Sequence, residues 1–384
     1  MGSGTRTRAP APEKIVEGFE ADHPDVSVDI RVTPWDQYWT KLRAAAGGGA
    51  TPDVFWMNGP NFQLYAGNDI VAPLGDHVAD GDIEVDDYPE SLVDLYTPDG
   101  ELYGVPKDFD TIGLWYNKKL FDDAGVDYPD KSWTGDDLRS AAEKLTDKKA
   151  GTFGITAALE GQQDYYNTIL RAGGHVISED GSSSGYDDPA TIEGLRFWTD
   201  LIDAGLSPTL QQMTDTLPLQ WFESGKTAMF YGGSRNLAEF KSNEYTVDKV
   251  DVAPLPVGEE RAVVIHGLAN MMSAQTEHPE EAREFLQYLG SEDAARVLGE
   301  SGTVIPAYDG TQQARVEAAP EYDPGVFLDA VDYASPLPVS ADTAAWNEAE
   351  AKYLTKARSG EMQVEEAAQQ LADDMDAVLA DEKN

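Results

Sequence analysis

The chain contains no cysteine, so disulfide frameworks, thiolate nucleophiles and cysteine-based metal sites are excluded. Histidine is scarce: His23, His77, His175, His266 and His278 are scattered, with no HExxH motif and no second ligand at metal spacing. No metal, no cofactor and no catalytic residue is therefore expected. Basic side chains number 28 against 70 acidic ones, a formal net charge of −42. That balance argues against nucleic acid and anionic membrane surfaces as partners, since both need clustered Lys and Arg. No apolar run approaches the roughly 18 residues of a membrane span. The opening MGSGTRTRAPAPEK has no hydrophobic signal core and reads as a tag or a trimmed mature terminus. A Gly-x-Ser-x-Gly elbow is absent. Gly225-Lys226-Thr227 matches the end of a P-loop by chance, because Gln220 stands where the first glycine belongs. With so many acids, carboxylate pairs at glycosidase spacing also arise by chance.

What is present is a chain too long for one hydrophobic core: 384 residues, 41% hydrophobic, with 35 glycines and 22 prolines. Apolar and aromatic residues run throughout, unlike a disordered acidic tail. Repulsion among the carboxylates is screened within roughly 3 Å at 1 M salt. A halophile's high-salt habitat and an ordinary acidic secreted protein both account for the charge.

Periodicity gives alternating helices and strands. PEKIVEGFEA (12–21) is a helix with Ile15, Val16 and Phe19 on one face; VSVDIRV (26–32) alternates as a strand. A helix over 38–46 ends in Gly47-Gly48-Gly49, and DVFWM (53–57) is a short buried strand. Helices follow over 133–145 (capped by Thr134), 165–172, 190–204, 280–289, 344–359 and 364–379. Strands are expected at 153–157, 227–231, 250–253 and 262–272. This rhythm predicts an α/β protein with parallel strands.

The most informative stretch is YGVPKDFDTIGLWYNKKLFDDAG, Tyr103–Gly125. It reads as a short strand and turn, a polar loop holding Lys107, Asp108 and Asp110, an apolar strand Ile112–Tyr116, and a short helix stopped by Gly125. Carboxylates in such a place sit where α/β proteins bind small ligands. The stretch resembles the domain crossover of the carbohydrate-type extracellular solute-binding proteins of ABC importers, the maltose-binding-protein group. GATPDVFWMNGPNF, APLPVG and HPEEAREFLQYLGSEDAARVLGESGTVIPA extend the resemblance over almost the whole chain.

The resemblance implies a two-lobed α/β fold with a ligand cleft between lobes joined by three crossovers, closing by hinge motion. Lobe one would comprise 1–110 and 263–304, lobe two 111–250 and 309–384, with crossovers near 110, 250–262 and 304–308. It implies a monomer that captures a sugar, in particular an oligosaccharide, and delivers it to ABC permease subunits. Location would be extracellular or periplasmic, at the outer face of the cytoplasmic membrane. One departure stands out. The family begins with a strand before its first helix, whereas TRTRAP is a poor strand former.

Sugar recognition needs aromatic faces for C–H surfaces and planar polar groups for hydroxyls. Carried over by position, the resemblance assigns Trp56 and Asp110 to sugar contact, with core packing and a hinge ion pair as the respective alternatives. Asn58 and Asn61, in the loop after the DVF strand, donate and accept at once. Asp108 is expected in solvent. Gln163 and Tyr166 open a helix before Ala172-Gly173-Gly174, the second lobe's ligand loop by resemblance. Arg235 stands where the family has a Trp. Trp35, Trp346 and Asp342 complete the candidates; for these, as for Tyr38 and His266, a structural role is equally compatible. Two other readings compete. Steady consumption of an oligosaccharide marks a secreted glycoside-active enzyme, and gene neighbourhood separates an importer component from a sugar sensor.

Overall fold

Nine β-strands within residues 10–382, the residues described by a computed structural model, form two separate sheets: β1 (Val54–Asn58), β2 (Gly104–Asp110), β3 (Ile112–Asn117), β4 (Phe153–Ile155), β5 (Thr227–Gly233), β6 (Val250–Ala253), β7 (Val263–Met272), β8 (Ile305–Pro306) and β9 (Ala334–Pro336). One sheet has the order β1-β7-β2-β8, with β9 on β7; the other has the order β4-β5-β3-β6. The chain divides into two compact units, one running up to Asp110 and including His266–Ala318, the other Thr111–Ile265 and the chain from Ala319 onward.

In the first unit, β1 and β2 both run antiparallel to β7, and so parallel to each other. Helix Pro10–Asp22 buries Ile15, Val16 and Phe19, the face that its periodicity marks, with the Phe19 ring 4.9 Å from Phe285 and 5.6 Å from Tyr288. In the second unit, β3 pairs antiparallel with β5 and β6, while β4 and β5 are parallel. Its core joins Leu114, Trp198, Met229 and Tyr231 to the stripe Trp346, Tyr353, Leu354, Leu371 and Met375 of helices Thr343–Arg358 and Val364–Asp381. Thr134 and Asp137 form a reciprocal capping box at helix Gly135–Leu145. Gly125 takes the left-handed conformation, φ 65°, that ends helix Lys118–Ala124.

Four expectations change. The sheets are mostly antiparallel, not parallel, because β7 enters between β1 and β2 against their direction. Residues 26–32 are extended but belong to no strand: Val28 N–H donates to Glu20 Oε1 (2.8 Å) instead of to a neighbouring backbone. The polar loop after Pro106 is strand, since β2 continues, buried throughout, to Asp110. The unit boundaries after 250 also move, to 265/266 and 318/319. β7 pairs with β9 only through Val263–Ile265, and the Asp309 N–H donates to the Asp87 carbonyl (2.8 Å), which keeps the chain in the first unit past 308. Residues 1–9, with most of TRTRAP, lie outside the described residues.

The ion pairs are mostly exposed and worth little individually. Net repulsion at −42 is the larger electrostatic quantity. Unfolding midpoints should therefore rise as sodium chloride goes from near zero to molar. Equal midpoints would show that the carboxylates are spaced too widely to matter.

Candidate functional site

Each unit places its polar candidates just beyond the carboxyl ends of two mutually parallel strands, where α/β sheets bind ligands. In the first unit those ends are Asn58 on β1 and Asp110 on β2. Asn58 caps helix Gly59–Gly67: its Oδ1 accepts from Asn61 N–H (3.3 Å) and Asn61 Nδ2 (2.8 Å). The two amides thus orient each other and remain half-buried. Trp56 is 4% exposed, its carbonyl accepts from the Tyr38 hydroxyl (2.7 Å), and Lys107 Nζ stands 4.4 Å from its ring centroid. Its buried Nε1 has no partner among the described residues. Trp35 lies parallel to Tyr38 at 6.1 Å and is 43% exposed, which makes it an open aromatic face.

Asp108 is buried, contrary to the solvated position expected for it. A register shift in β2 between Pro106 and Asp108 accompanies its pairing with Lys107, while Asp108 Oδ1 accepts from Leu268 N–H (3.1 Å). Asp110 is buried opposite His266 in the ladder. It acts on the buried Arg315, whose guanidinium burial pulls down in pKa and the Asp110 charge pushes back up.

In the second unit the ends belong to β4 and β5. After β4, a wide helical turn Gly161–Tyr165 is capped by Glu160, whose Oε2 accepts from Gln163 N–H (2.6 Å). Burial lifts the Glu160 carboxyl, while the Gln163 N–H and Arg235 hold it down. Arg235 is exposed after β5, at the entry to helix Asn236–Ser242. Glu160, Gln163 and Arg235 therefore form one cluster.

Three sequence candidates belong elsewhere. Tyr166 is buried, and its hydroxyl donates to both carboxylate oxygens of Glu350 (3.0 and 2.9 Å). Trp346 is wholly buried, and its Nε1 donates to Ser340 Oγ (2.8 Å). Asp342 caps the helix that follows it, accepting from Ala345 N–H (3.2 Å). Tyr166 and Trp346 hold the unit together from inside, while Asp342 is exposed at its helix start. Sequence reasoning missed Glu160, Arg315 and Glu350. The spacing E-x-x-Q at Glu160 is a legible capping signal. Glu350 shares the stripe of Trp346, Ala349, Tyr353 and Ala357, so an acid among apolar positions was a visible signal. Arg315 had no local mark.

The geometry suits retention of an uncharged, hydroxyl-rich solute: amides, carboxylates and an aromatic face. The chain belongs to the bacterial extracellular solute-binding protein family, whose profile matches residues 2–296. It is 28% identical over 290 residues to the arabinooligosaccharide-binding protein of Halalkalibacterium halodurans, covering 72% of this chain and 63% of that one. It is 25% identical over 303 residues to the maltodextrin-binding protein MdxE of Bacillus subtilis (77% and 70% covered). Among solved structures, the ABC substrate-binding protein Lmo0181 from Listeria monocytogenes, in complex with cycloalternan, superposes with TM-score 0.88 at 25% identity over 97% of both chains. The family is one of binding proteins, not enzymes. No helix among the described residues is long and apolar enough to cross a membrane.

Proposed function

We propose that the protein captures a neutral oligosaccharide outside the cell and delivers it to the permease subunits of an ABC importer. The observation that carries this reading is the placement of planar polar side chains beyond parallel strand ends in both units, with Trp35 beside the first set. Carboxylates and amides grip hydroxyls in pairs, and the ring covers C–H faces. The arabinooligosaccharide and maltodextrin relatives favour the same chemistry. Trp35, Asn58, Asn61 and Asp110 are the contacts proposed in the first unit, with the buried Trp56, covered by Lys107, as packing behind them; Gln163, Arg235 and Glu160 are those in the second. The protein acts as a monomer at the outer face of the cytoplasmic membrane.

A thermal-shift panel of maltotriose, arabinotriose, monosaccharides, amino acids and short peptides tests the substrate class. Binding to the native state alone stabilises by about 2.7 kcal/mol at a hundredfold excess over Kd. A sugar should raise the melting temperature in both low and high salt. A rise with amino acids or peptides alone would overturn the sugar reading.

A further inference from the structure

Beneath the turn that carries Gln163 lies a buried carboxylate with an unusual set of donors. Glu350, 3% exposed on helix Thr343–Arg358, receives hydroxyl hydrogen bonds from Tyr165 (3.0 Å), from Tyr166 (2.9 and 3.0 Å) and from Tyr186. Two of these tyrosines belong to the turn or directly follow it. The Tyr166 ring also packs so closely under Gly161 that a β-carbon there would come within 2.6 Å of it. The carboxylate is thus linked through Tyr166 to the peptide leading into Gln162 and Gln163. A second tie comes from Asn167, which donates to the Gln162 and Gln163 carbonyls (2.9 and 3.0 Å) and accepts from Val264 N–H (2.9 Å).

We propose that Glu350 is a positioning residue for ligand binding: ionised, it locks Tyr165 and Tyr166 as donors and holds the turn Gly161–Gln163 in place. A carboxylate accepts at every lone pair, whereas a protonated one must donate its own proton to a neighbour. Proton uptake therefore costs at least one of the three hydroxyl bonds, two of which come from the turn or the residue that follows it. Burial raises this carboxyl to about 7, opposed by the bonds from Tyr186, Tyr166 and Tyr165. Because those bonds favour the charged form, the proton favours the arrangement with fewer of them while the carboxyl stays dry. An opening that hydrates Glu350 lowers its pKa and reverses the sign, so protection that rises toward low pH also overturns the proposal.

Asp164, 3% exposed within the turn itself, is a competing carboxyl: burial pushes it well above the usual carboxylate range, the Arg358 charge opposes that, and Glu160 adds to it. On Glu350 itself, Glu160 adds a weaker upward push. Arg358 donates to the Ala157 carbonyl (3.0 Å) and lies over the Tyr165 ring. From the packed helix Val364–Asp381, Asp374 binds Lys352 and Tyr353, and Asp376 accepts from Ser184 N–H. The three tyrosines, pushed well above 10 by burial, stay neutral donors.

The consequence for affinity rests on the sugar-binding reading; the effect on the turn does not. Hydrogen–deuterium exchange of the segment 161–167, corrected for intrinsic rates, should show protection falling about tenfold from about pH 8 to about pH 5.5, the size of a coupling of one pKa unit. Glu350→Gln should be less protected at the higher pH and flat across the range, and Tyr165→Phe with Tyr166→Phe should behave alike. Tyr186→Phe, which removes a donor outside the turn, should keep the pH response. Calorimetry with maltotriose should give a Kd that rises about tenfold over the same range in the natural chain and is flat in Glu350→Gln. A flat exchange profile in the natural chain overturns the proposal, as does a Glu350→Gln variant that retains the response, which would assign the titration to Asp164 or Glu160. A changing turn with constant maltotriose affinity overturns the positioning role. If maltotriose fails to bind at any pH, that choice of sugar fails, and exchange still decides whether Glu350 holds the turn.

Discussion

Asp110→Asn should weaken sugar binding by tenfold to a thousandfold. Hydrogen bonds from hydroxyls to a charged carboxylate contribute roughly 1.5–3 kcal/mol each, and each 1.4 kcal/mol is about tenfold in Kd. Asparagine keeps the shape and one acceptor, so the loss isolates the charge. The fold should weaken too, because the buried Arg315 guanidinium loses the nearby negative charge that favours its ionised state. Asp108→Asn, two residues earlier on the same strand, is the comparison. Its carboxylate is committed to Lys107 and to Leu268 N–H, so its loss should cost about 3–5 kcal/mol of stability and little affinity. Titration calorimetry with the sugar found in the panel, alongside urea unfolding of both variants, separates the two effects. If Asp108 carries the affinity loss and Asp110 none, β2 presents the other carboxylate to the ligand and the assignment fails.

Trp346→Ala should be the most destabilising substitution among the residues that the sequence offers as ligand contacts. The ring is wholly buried in the second unit and its Nε1 is bonded to Ser340. Removing a buried tryptophan costs about 3–5 kcal/mol through lost transfer energy and the cavity left behind. The surviving folded fraction should bind sugar with nearly unchanged Kd. Trp35→Ala should behave in the opposite way, because its ring is 43% exposed: small loss of stability, clear loss of affinity. Urea midpoints and calorimetry on the pair would reject this division if Trp346→Ala lost affinity while keeping its stability.

The sequence determined whatever depends on neighbours along the chain. Ile15, Val16 and Phe19 mark a buried helix face by spacing alone. Thr134 and Asp137 announce a helix start, and Gly125 a helix end. The ordered residues of Tyr103–Gly125 identified the family and pointed to Asp110. Tertiary structure decided what depends on partners distant in sequence. Whether 26–32 becomes a strand depends on a backbone to pair with, and its alternation cannot supply one. Whether an aromatic is core or contact depends on what covers it: Trp35 and Trp346 look alike in sequence, yet one lies open on Tyr38 and the other is enclosed with Ser340. Asp108, expected in solvent, is buried for the same reason: Lys107 and the Leu268 N–H, which no local pattern announces as its partners, claim its carboxylate. The buried Glu350 drew its three hydroxyl donors from 164–185 residues away, a set that no local pattern encodes. Periodicity fixes which way a side chain faces, but only the packed fold fixes what it meets there.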